Sequence, residues 1–423
     1  MSQRKVALFT VGCKLNQYET EWMGESLEKA GFERVGFSEQ ADLYIINTCT
    51  VTAQSDYSSR QAIYRAFRRS PGSKIAVVGC YSEVEPDLLN KLPGVALVLG
   101  NEEKKSIGEV ILERLFSETS KINEQKNRIA GRFKHTRALV KIQDGCNEGC
   151  AYCIVPRARG KERSRDANEI VEEIKGLRDK GFKEVVLTGV HIGKYSQDGM
   201  NLTALLKKIL AETQVERVRL SSIEPKELNE ELIELLSQEK RLCRHLHLPL
   251  QAGSDEILKR MRRNYTVEEY RDLIYDVSNR IENVTIGADV MVGFPGESKE
   301  DFEKTCGFIL CSPLSYLHVF SYSDRKGTLA SEMKDKVMPQ IIHKRSEILH
   351  QIGKEKWEKY LERFTGKKME ILVEGTKDKK TGRLIGLTDN YIRVLMEGDD
   401  GLKNKILQVK VVKREGKFLI GER

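Results

Sequence analysis

The sequence predicts an α/β protein built from three successive regions. Residues 4–105 alternate short apolar strands with amphipathic helices, which is typical of an open parallel sheet. From residue 138 the alternation returns on a larger scale in six strand–helix units, which predict a partial (β/α)6 barrel. Residues 367–423 contain five short strands separated by turn residues, which predict a small all-β barrel. The predicted domains are 1–116, a linker at 117–137, 138–365 and 366–423.

Composition excludes several classes of protein. The chain of 423 residues has no run of about 18 apolar residues, so we expect no membrane span. Its start, MSQRKVALFTVGC, enters a strand pattern directly and lacks a signal-peptide cleavage region. The nine cysteines are unevenly placed and do not resemble a disulfide framework, so we expect a cytoplasmic protein whose cysteines bind metal. The net charge of +8 permits a polyanionic partner but does not require one.

In the first region, three cysteines follow three strands. The predicted strands are Val6–Thr10, Leu43–Asn47 and Ile75–Val78, and the predicted helices are Asn16–Ala30, Gln54–Arg69 and Glu85–Leu92. Cys13, Cys49 and Cys80 each come within a few residues of a strand end. Because the carboxyl ends of parallel strands share one edge of a sheet, we expect the three to converge. We interpret them as ligands of an iron–sulfur cluster with one open iron. The alternative is coincidence, since small residues are common at strand ends.

The stretch from Gly145 to Cys153, GCNEGCAYC, places Cys146, Cys150 and Cys153 at C-x3-C-x2-C spacing. Crowded thiolates suit iron–sulfur clusters or zinc. A closed site needs a fourth ligand, and the next candidate after Cys153 is His191. Three cysteines alone leave one iron of a 4Fe–4S cluster open to substrate, beside the aromatic ring of Tyr152. The alternative is a structural zinc loop that borrows a distant ligand.

The segment between these regions, Ser117–Thr136, is polar, basic and weakly periodic, and we interpret it as a linker. Its basic stripe comprises Arg128, Arg132, Lys134 and Arg137. Both a solvated connection and an RNA contact fit this composition.

The central region carries small or polar residues after its strands. Strands are predicted at Ala138–Ile142, Glu184–Thr188, Arg217–Ser221, His245–Leu248, Thr285–Val292 and Tyr316–Tyr322. Helices are predicted at Ala167–Lys180, Leu202–Glu212, Asn229–Glu239, Asp255–Ile281 and Lys299–Leu310. Function in such a barrel belongs at the carboxyl ends of the strands. Ser222, Glu224 and Gln251 lie there and offer hydrogen bonds to a polar ligand, although ordinary turn chemistry is the alternative for each. His191, His245 and His247 are polar candidates near the same edge, without an assigned catalytic role.

The last region follows a long charged helix, HKRSEILHQIGKEKWEKYLERF, which Gly353 is expected to interrupt softly. Residues 366–423 contain 14 Lys and Arg against 9 Asp and Glu, a net charge of +5. A basic β-barrel is a weak indication of RNA binding when it stands alone.

Several motifs resemble those of the radical S-adenosylmethionine (SAM) methylthiotransferases. GCKLNQYETE at Gly12–Glu21, NTCTVT at Asn47–Thr52 and VGCYSE at Val78–Glu83 resemble the N-terminal domain of that family. IQDGCNEGCAYCIVPRARG at Ile142–Gly160 resembles its cluster loop, and the last region resembles its RNA-binding TRAM domain. The resemblance covers essentially the whole chain in the family's domain order.

The resemblance implies two 4Fe–4S clusters, one on each group of three cysteines, and SAM. It implies that SAM is chelated by the open iron of the Cys146, Cys150 and Cys153 cluster. The residues expected to contact SAM are Tyr152, Gly189, Ser222, Glu224, Gln251 and Val292. The implied partners are tRNA, a reducing electron donor such as flavodoxin or ferredoxin, and a sulfur source. The oligomeric state is left open.

The family branches by substrate. GCKLNQYETE and IQDGCN resemble the branch that transfers a methylthio group to C2 of N6-threonylcarbamoyladenosine beside the tRNA anticodon. Arg157 departs from this branch, which often has an aromatic residue there. The alternatives are isopentenyladenosine in tRNA or a ribosomal-protein aspartate as substrate. An alternative of a different class is a non-catalytic iron–sulfur RNA-binding or sensor protein.

Overall fold

The first region of the computed structural model is a five-stranded parallel sheet. The structure describes residues 3–118 and 135–423, so most of the predicted linker, with Arg128, Arg132 and Lys134, lies outside the described residues. The elements are β1 Lys5–Thr10, α1 Lys14–Lys29, β2 Glu33–Val35, β3 Leu43–Thr48, α2 Ala53–Arg69, β4 Lys74–Gly79, α3 Cys80–Val84, α4 Pro86–Asn90, β5 Val95–Leu99 and α5 Ile107–Phe116. The strand order is β2-β1-β3-β4-β5, with every pair parallel.

Helices cover both faces of this sheet because its central strands are apolar on both sides. In β3, Leu43 and Ile45 pack into the core shared with α1 and α5, while Tyr44 and Ile46 pack toward α2. The prediction missed the short strands β2 and β5 at the two edges of the sheet. It also missed α3, which begins directly at Cys80.

The central region is a partial barrel of six parallel strands. Its elements are β6 Ala138–Lys141, β7 Gln143–Asp144, α6 Val155–Arg159, β8 Arg163–Ser164, α7 Ala167–Asp179, β9 Glu184–Thr188, β10 Ser196–Gln197, β11 Met200–Asn201, α8 Leu202–Glu212, β12 Arg217–Leu220, α9 Glu230–Gln238, β13 His245–His247, α10 Asp255–Arg260, α11 Val267–Arg280, β14 Thr285–Val292, α12 Lys299–Cys311, β15 Tyr316–Ser321 and α13 Pro339–Glu362. The sheets β6-β9-β12 and β13-β14-β15 meet where Cys243 N donates to Val218 O at 2.9 Å.

Two helix predictions in this region were wrong. The helix predicted over Asp255–Ile281 is divided into α10 and α11. Arg262 takes a left-handed φ of 58°, and the Thr266 side chain caps α11 in a reciprocal capping box with Glu269. Conversely, α13 runs through Gly353 without a break, because the helix packs along β15.

The last region is a closed five-stranded barrel, as predicted. Its strands are β16 Lys368–Lys377, β17 Leu384–Thr388, β18 Arg393–Met396, β19 Ile406–Glu415 and β20 Phe418–Glu422, in the order β16-β17-β18-β20-β19. The barrel seals the amino-terminal end of the partial barrel. There the fully buried Arg219 pairs with Glu184 at 2.7 Å and donates to the carbonyl oxygens of Thr388 and Asp389.

The three-part fold class is therefore confirmed, while the domain boundaries at 116, 137 and 365 stay a prediction. Among the described residues, no helix combines the length and the apolar character that crossing a membrane requires.

Candidate metal centres

The predicted cluster loop, Gly145–Cys153, joins β7 to α6 at the open edge of the partial barrel. Backbone hydrogen bonds hold it on two sides, because Cys146 N donates to Gly160 O at 3.1 Å and Ala151 N donates to Met261 O at 3.0 Å. The loop thereby gathers three thiols, which we call the loop trio: Cys146, Cys150 and Cys153. Burial raises the pKa of the Cys153 thiol to about 12, and the other two thiols add to the effect.

An arginine that the sequence analysis did not identify contacts this trio. Arg263 Nη1 donates to Cys150 Sγ at 3.2 Å, and the same guanidinium forms an ion pair with Glu224. The Arg263 side chain is almost fully buried. Burial raises the pKa of the Cys150 thiol, and Arg263 offsets part of this rise by favouring the thiolate, which is the form that binds metal.

A histidine approaches the first cysteine of the loop. His191 Nδ1 lies 3.8 Å from Cys146 Sγ, and its Nε2 lies 3.0 Å from a Glu227 carboxylate oxygen. Burial disfavours the imidazolium form, but Cys146 and Glu227 outweigh it and raise the pKa of His191 to about 10. The Gln143 side chain fixes this arrangement, since its Oε1 accepts from His191 N at 2.8 Å and its Nε2 donates to Gly145 O at 2.8 Å.

The three cysteines of the N-terminal region converge as predicted at one edge of the sheet. We call Cys13, Cys49 and Cys80 the sheet trio; they follow the adjacent strands β1, β3 and β4. Gly12, with a φ of +104°, permits the approach, because a Cβ there would lie 2.9 Å from Cys49 Sγ. Burial raises the pKa of the Cys49 thiol to about 11, and the neighbouring Cys13 and Cys80 raise it further.

The two trios are brought together by the packing of α3 on α6. Cys80 and Val84 of α3 form one buried cluster with Ile154 and Ala158. Ile154 directly follows the last cysteine of the loop trio. One member of the sheet trio, Cys80, and the segment that follows the loop trio therefore lie at the same contact between the N-terminal sheet and the partial barrel.

A buried ionic network fixes the same interface. Arg159, at the end of α6, donates to Glu19 Oε1 at 2.9 Å, to Asp144 Oδ1 at 3.0 Å and to Asn16 Oδ1 at 2.5 Å. Lys104 contributes a further contact to Glu19 at 2.7 Å, and both side chains are buried. Because unpaired charges at such depth are costly, this network holds α1 in one position against the barrel.

The residues expected to contact SAM lie at the strand ends but in different environments. Gly189 follows β9 and Ser222 is exposed after β12. Gln251 adopts a left-handed φ of 63° and pairs its backbone with Val290. The Val292 side chain is fully buried, and the Tyr152 ring packs edge-on to Phe294 with centroids 6.4 Å apart. Glu224 is the member that contacts the loop trio indirectly, through Arg263. Which of these six bind SAM stays a prediction.

Arg157 and His245, which the sequence analysis also named, have other contacts. Arg157 donates to Val84 O and to Lys326 O, both at 3.4 Å, and so spans the contact between α3 and the segment after β15. His245 does not approach either trio; its ring stacks on Tyr391 at the base of the barrel, with centroids 4.3 Å apart.

This chain is similar to known protein families and to a solved structure. Residues 140–309 match the family model of the Radical SAM superfamily, and residues 5–100 match that of Uncharacterized protein family UPF0004. Residues 362–422 match the model of the TRAM domain. The radical SAM methyltransferase TsrM of Kitasatospora setae shares the fold, with a TM-score of 0.57 and 17% identity over 78% of this chain and 77% of that chain. A partial barrel with a three-cysteine loop at its edge defines a radical SAM enzyme.

Similar sequences narrow this class. The chain is 42% identical to the threonylcarbamoyladenosine tRNA methylthiotransferase MtaB of Aquifex aeolicus, over 85% of this chain and 90% of that protein. It is 40% identical to the protein of the same name from Bacillus subtilis, over 84% and 82% respectively. The chain belongs to the radical SAM methylthiotransferase family, and its cofactors are two 4Fe–4S clusters and SAM.

Proposed function

We propose that this protein transfers a methylthio group to C2 of N6-threonylcarbamoyladenosine beside the tRNA anticodon, giving 2-methylthio-N6-threonylcarbamoyladenosine. The observation that carries the proposal is that Cys80 of the sheet trio and Ile154, which follows Cys153 of the loop trio, belong to one buried cluster. Radical generation and sulfur insertion are separate tasks that must act on one substrate atom. The names of the relatives from Aquifex aeolicus and Bacillus subtilis support the choice of substrate.

Each trio would hold one 4Fe–4S cluster. The donor sets fit, because each consists of three thiols whose charges influence one another and no disulfide joins them among the described residues. When bound, the loop-trio cluster with SAM supplies a radical that abstracts hydrogen from carbon, and the sheet-trio cluster supplies sulfur. The polar residues around the loop trio would donate to its sulfurs and thereby tune the cluster.

The chain's own residues supply orientation and shielding. Arg263 fixes Cys150 and, through the same guanidinium, holds Glu224 at the edge where SAM is expected. Gln143 ties the start of the cluster loop to the segment that carries His191. The apolar contact of α3 with α6 buries Cys80 beside the segment that follows Cys153, and a dry contact of this kind would help to shield reactive chemistry from quenching.

The C-terminal barrel would bind the RNA backbone. Its net charge of +5 attracts phosphates without recognising the nucleotide sequence. The modified adenosine would instead be recognised at the edge of the partial barrel, beside the two trios. An anticodon-loop base is accessible there because loop bases unstack at modest cost. The proposal further requires a reducing electron donor, such as flavodoxin or ferredoxin, a sulfur source, and a cytoplasmic location where tRNA is available.

The test offers the reconstituted enzyme three substrates: threonylcarbamoyl-tRNA, isopentenyl-tRNA and the ribosomal protein. We expect the methylthio product from the threonylcarbamoyl substrate, measured by nucleoside mass spectrometry. Product from either of the other two substrates alone would refute the substrate assignment and leave the radical chemistry standing. SAM cleavage in the reduced protein separates the enzyme from a non-catalytic iron–sulfur sensor, which would show none.

A further inference from the structure

Two histidines and an aspartate lie side by side on three adjacent strands of the partial barrel. His247 ends β13, Asp289 lies in β14, and His318 lies in β15 directly opposite Asp289 in the register. His247 Nε2 is 2.8 Å from Asp289 Oδ1, and His318 Nδ1 is 3.5 Å from the same oxygen. All three potential ligand atoms lie within 4.8 Å of one another.

These atoms match the requirements of a divalent transition-metal ion. With metal–ligand distances of about 2.1 Å, the separations of 2.8 and 3.5 Å correspond to ligand–metal–ligand angles of roughly 85° and 110°. Such angles belong to tetrahedral or octahedral coordination. Imidazole nitrogen suits zinc, iron and copper, and one carboxylate with two imidazoles is a common set for zinc or ferrous iron. Three protein ligands leave at least one position open.

A neighbouring tyrosine orients the first histidine as a metal ligand requires. The Tyr316 hydroxyl lies 3.1 Å from His247 Nδ1, so the opposite nitrogen, Nε2, faces Asp289. Hydrogen bonding of the distal nitrogen is the usual support of a metal-bound histidine. The ring of Tyr316 reaches across β14 only because residue 287 is glycine, where a Cβ would lie 2.1 Å from the Tyr316 Cζ atom.

The group also has an entry path. The His318 side chain is 57% exposed and borders a cavity of about 690 Å³ between α13 and the C-terminal barrel. Lys354 and Arg393 line the same cavity, so an open metal position there would favour an anionic oxygen ligand or hydroxide. The cavity lining contains no member of either cysteine trio.

We propose that His247, Asp289 and His318 bind one divalent transition-metal ion of the zinc class, separate from both iron–sulfur clusters. This inference is independent of the proposed RNA substrate, because metal binding is measured without RNA.

The test uses the holoenzyme with both clusters reconstituted anaerobically. The protein is passed over a chelating resin, equilibrated with one to three equivalents of zinc chloride, desalted and analysed for zinc and iron by mass spectrometry. We expect wild-type protein to retain one zinc per chain more than Asp289→Asn or His318→Ala, at unchanged iron. Tyr316→Phe removes the supporting hydrogen bond and should weaken zinc binding about 10- to 100-fold in a competition with a chromophoric chelator.

The matched control is His343→Ala, which removes a 77% exposed histidine on α13 and should leave the zinc content unchanged. Equal iron contents and melting temperatures show that the variants are folded, and His318→Ala is the mildest of them because that side chain is largely exposed. Any of three results overturns the proposal. The wild type retains no zinc, Asp289→Asn and His318→Ala retain as much zinc as the wild type, or zinc is gained only as iron is lost.

Discussion

Replacing Arg159 by Met should loosen the N-terminal sheet from the barrel. The buried guanidinium makes four hydrogen bonds to Glu19, Asp144 and Asn16. Breaking a buried ion pair costs about 3–5 kcal/mol, and Lys104 still compensates part of the charge on Glu19, so we take about 3 kcal/mol. That value corresponds to a roughly 150-fold shift of the docking equilibrium.

Trp22 of α1 reports this docking, because its ring packs with Tyr18 against the barrel strands. In a Trp357→Phe background Trp22 is the single tryptophan, so urea titration of its fluorescence measures the loss of docking. The transition of Arg159→Met should move to lower urea. Thiolation should fall by about 100-fold, since small displacements of reacting groups cost that much, whereas SAM cleavage should persist because the loop trio belongs to the barrel.

The control Arg114→Met removes an exposed pair with Glu103, which is worth at most about 1 kcal/mol. A double variant, Arg159→Met with Glu19→Gln, should cost less than the sum of the single changes, because both substitutions break the same Arg159–Glu19 ion pair and its loss is counted only once. If Arg159→Met resembles Arg114→Met in both urea midpoint and thiolation, the network does not hold the interface and the reasoning fails.

Four other sets of substitutions test the two trios, Arg263 and the C-terminal barrel. Changing the whole loop trio to Ala should remove about half of roughly eight irons and all reductive SAM cleavage; cleavage that survives contradicts the assignment. Changing the sheet trio to Ala should abolish thiolation and spare SAM cleavage, and loss of both at a normal loop-trio iron content argues against separate roles. Arg263→Lys keeps the charge but loses the planar guanidinium that contacts both Cys150 and Glu224, so SAM cleavage should fall about 10- to 100-fold at unchanged iron content. The exposed control Arg271→Lys should match wild type. Equal rates of SAM cleavage for Arg263→Lys and wild type would exclude a tuning role for Arg263. Changing the exposed Lys379, Lys380 and Lys410 to Gln should make the plot of log binding constant for tRNA against log salt concentration shallower, by up to about 0.9 in slope for each phosphate that is no longer neutralised. The control Lys299→Gln on α12 should leave this slope unchanged. An unchanged slope in the triple variant would show that the RNA binds elsewhere.

Deleting the C-terminal barrel would be a poor test of RNA binding. Arg219 is fully buried and donates to carbonyl oxygens of that barrel, so truncation would leave its donors without partners. Surface charge changes avoid this cost.

Local sequence patterns were sufficient for the three-part fold class, for most of its longer strands and helices, and for proposing the two cysteine trios. The three cysteines of the loop trio lie within eight residues of one another, so their spacing alone indicated a shared site. The sheet trio was predicted from one rule, that the carboxyl ends of parallel strands lie at the same edge of a sheet. The partners of buried charges and of the loop thiols that are distant in sequence were not predicted. Arg263 lies more than a hundred residues after Cys150, among several other arginines, and its local sequence carries no signal of a sulfur contact.

The tertiary structure alone decided how the parts meet. The packing of Cys80 on Ile154, the network around Arg159, and the alignment of His247 with Asp289 and His318 each join segments distant in sequence. Periodicity and propensity act over a few residues and therefore determine helices, strands and the edges where they end. The partner of a buried charge or thiol is instead selected by which surfaces exclude water against each other, and that depends on the packing of the whole chain.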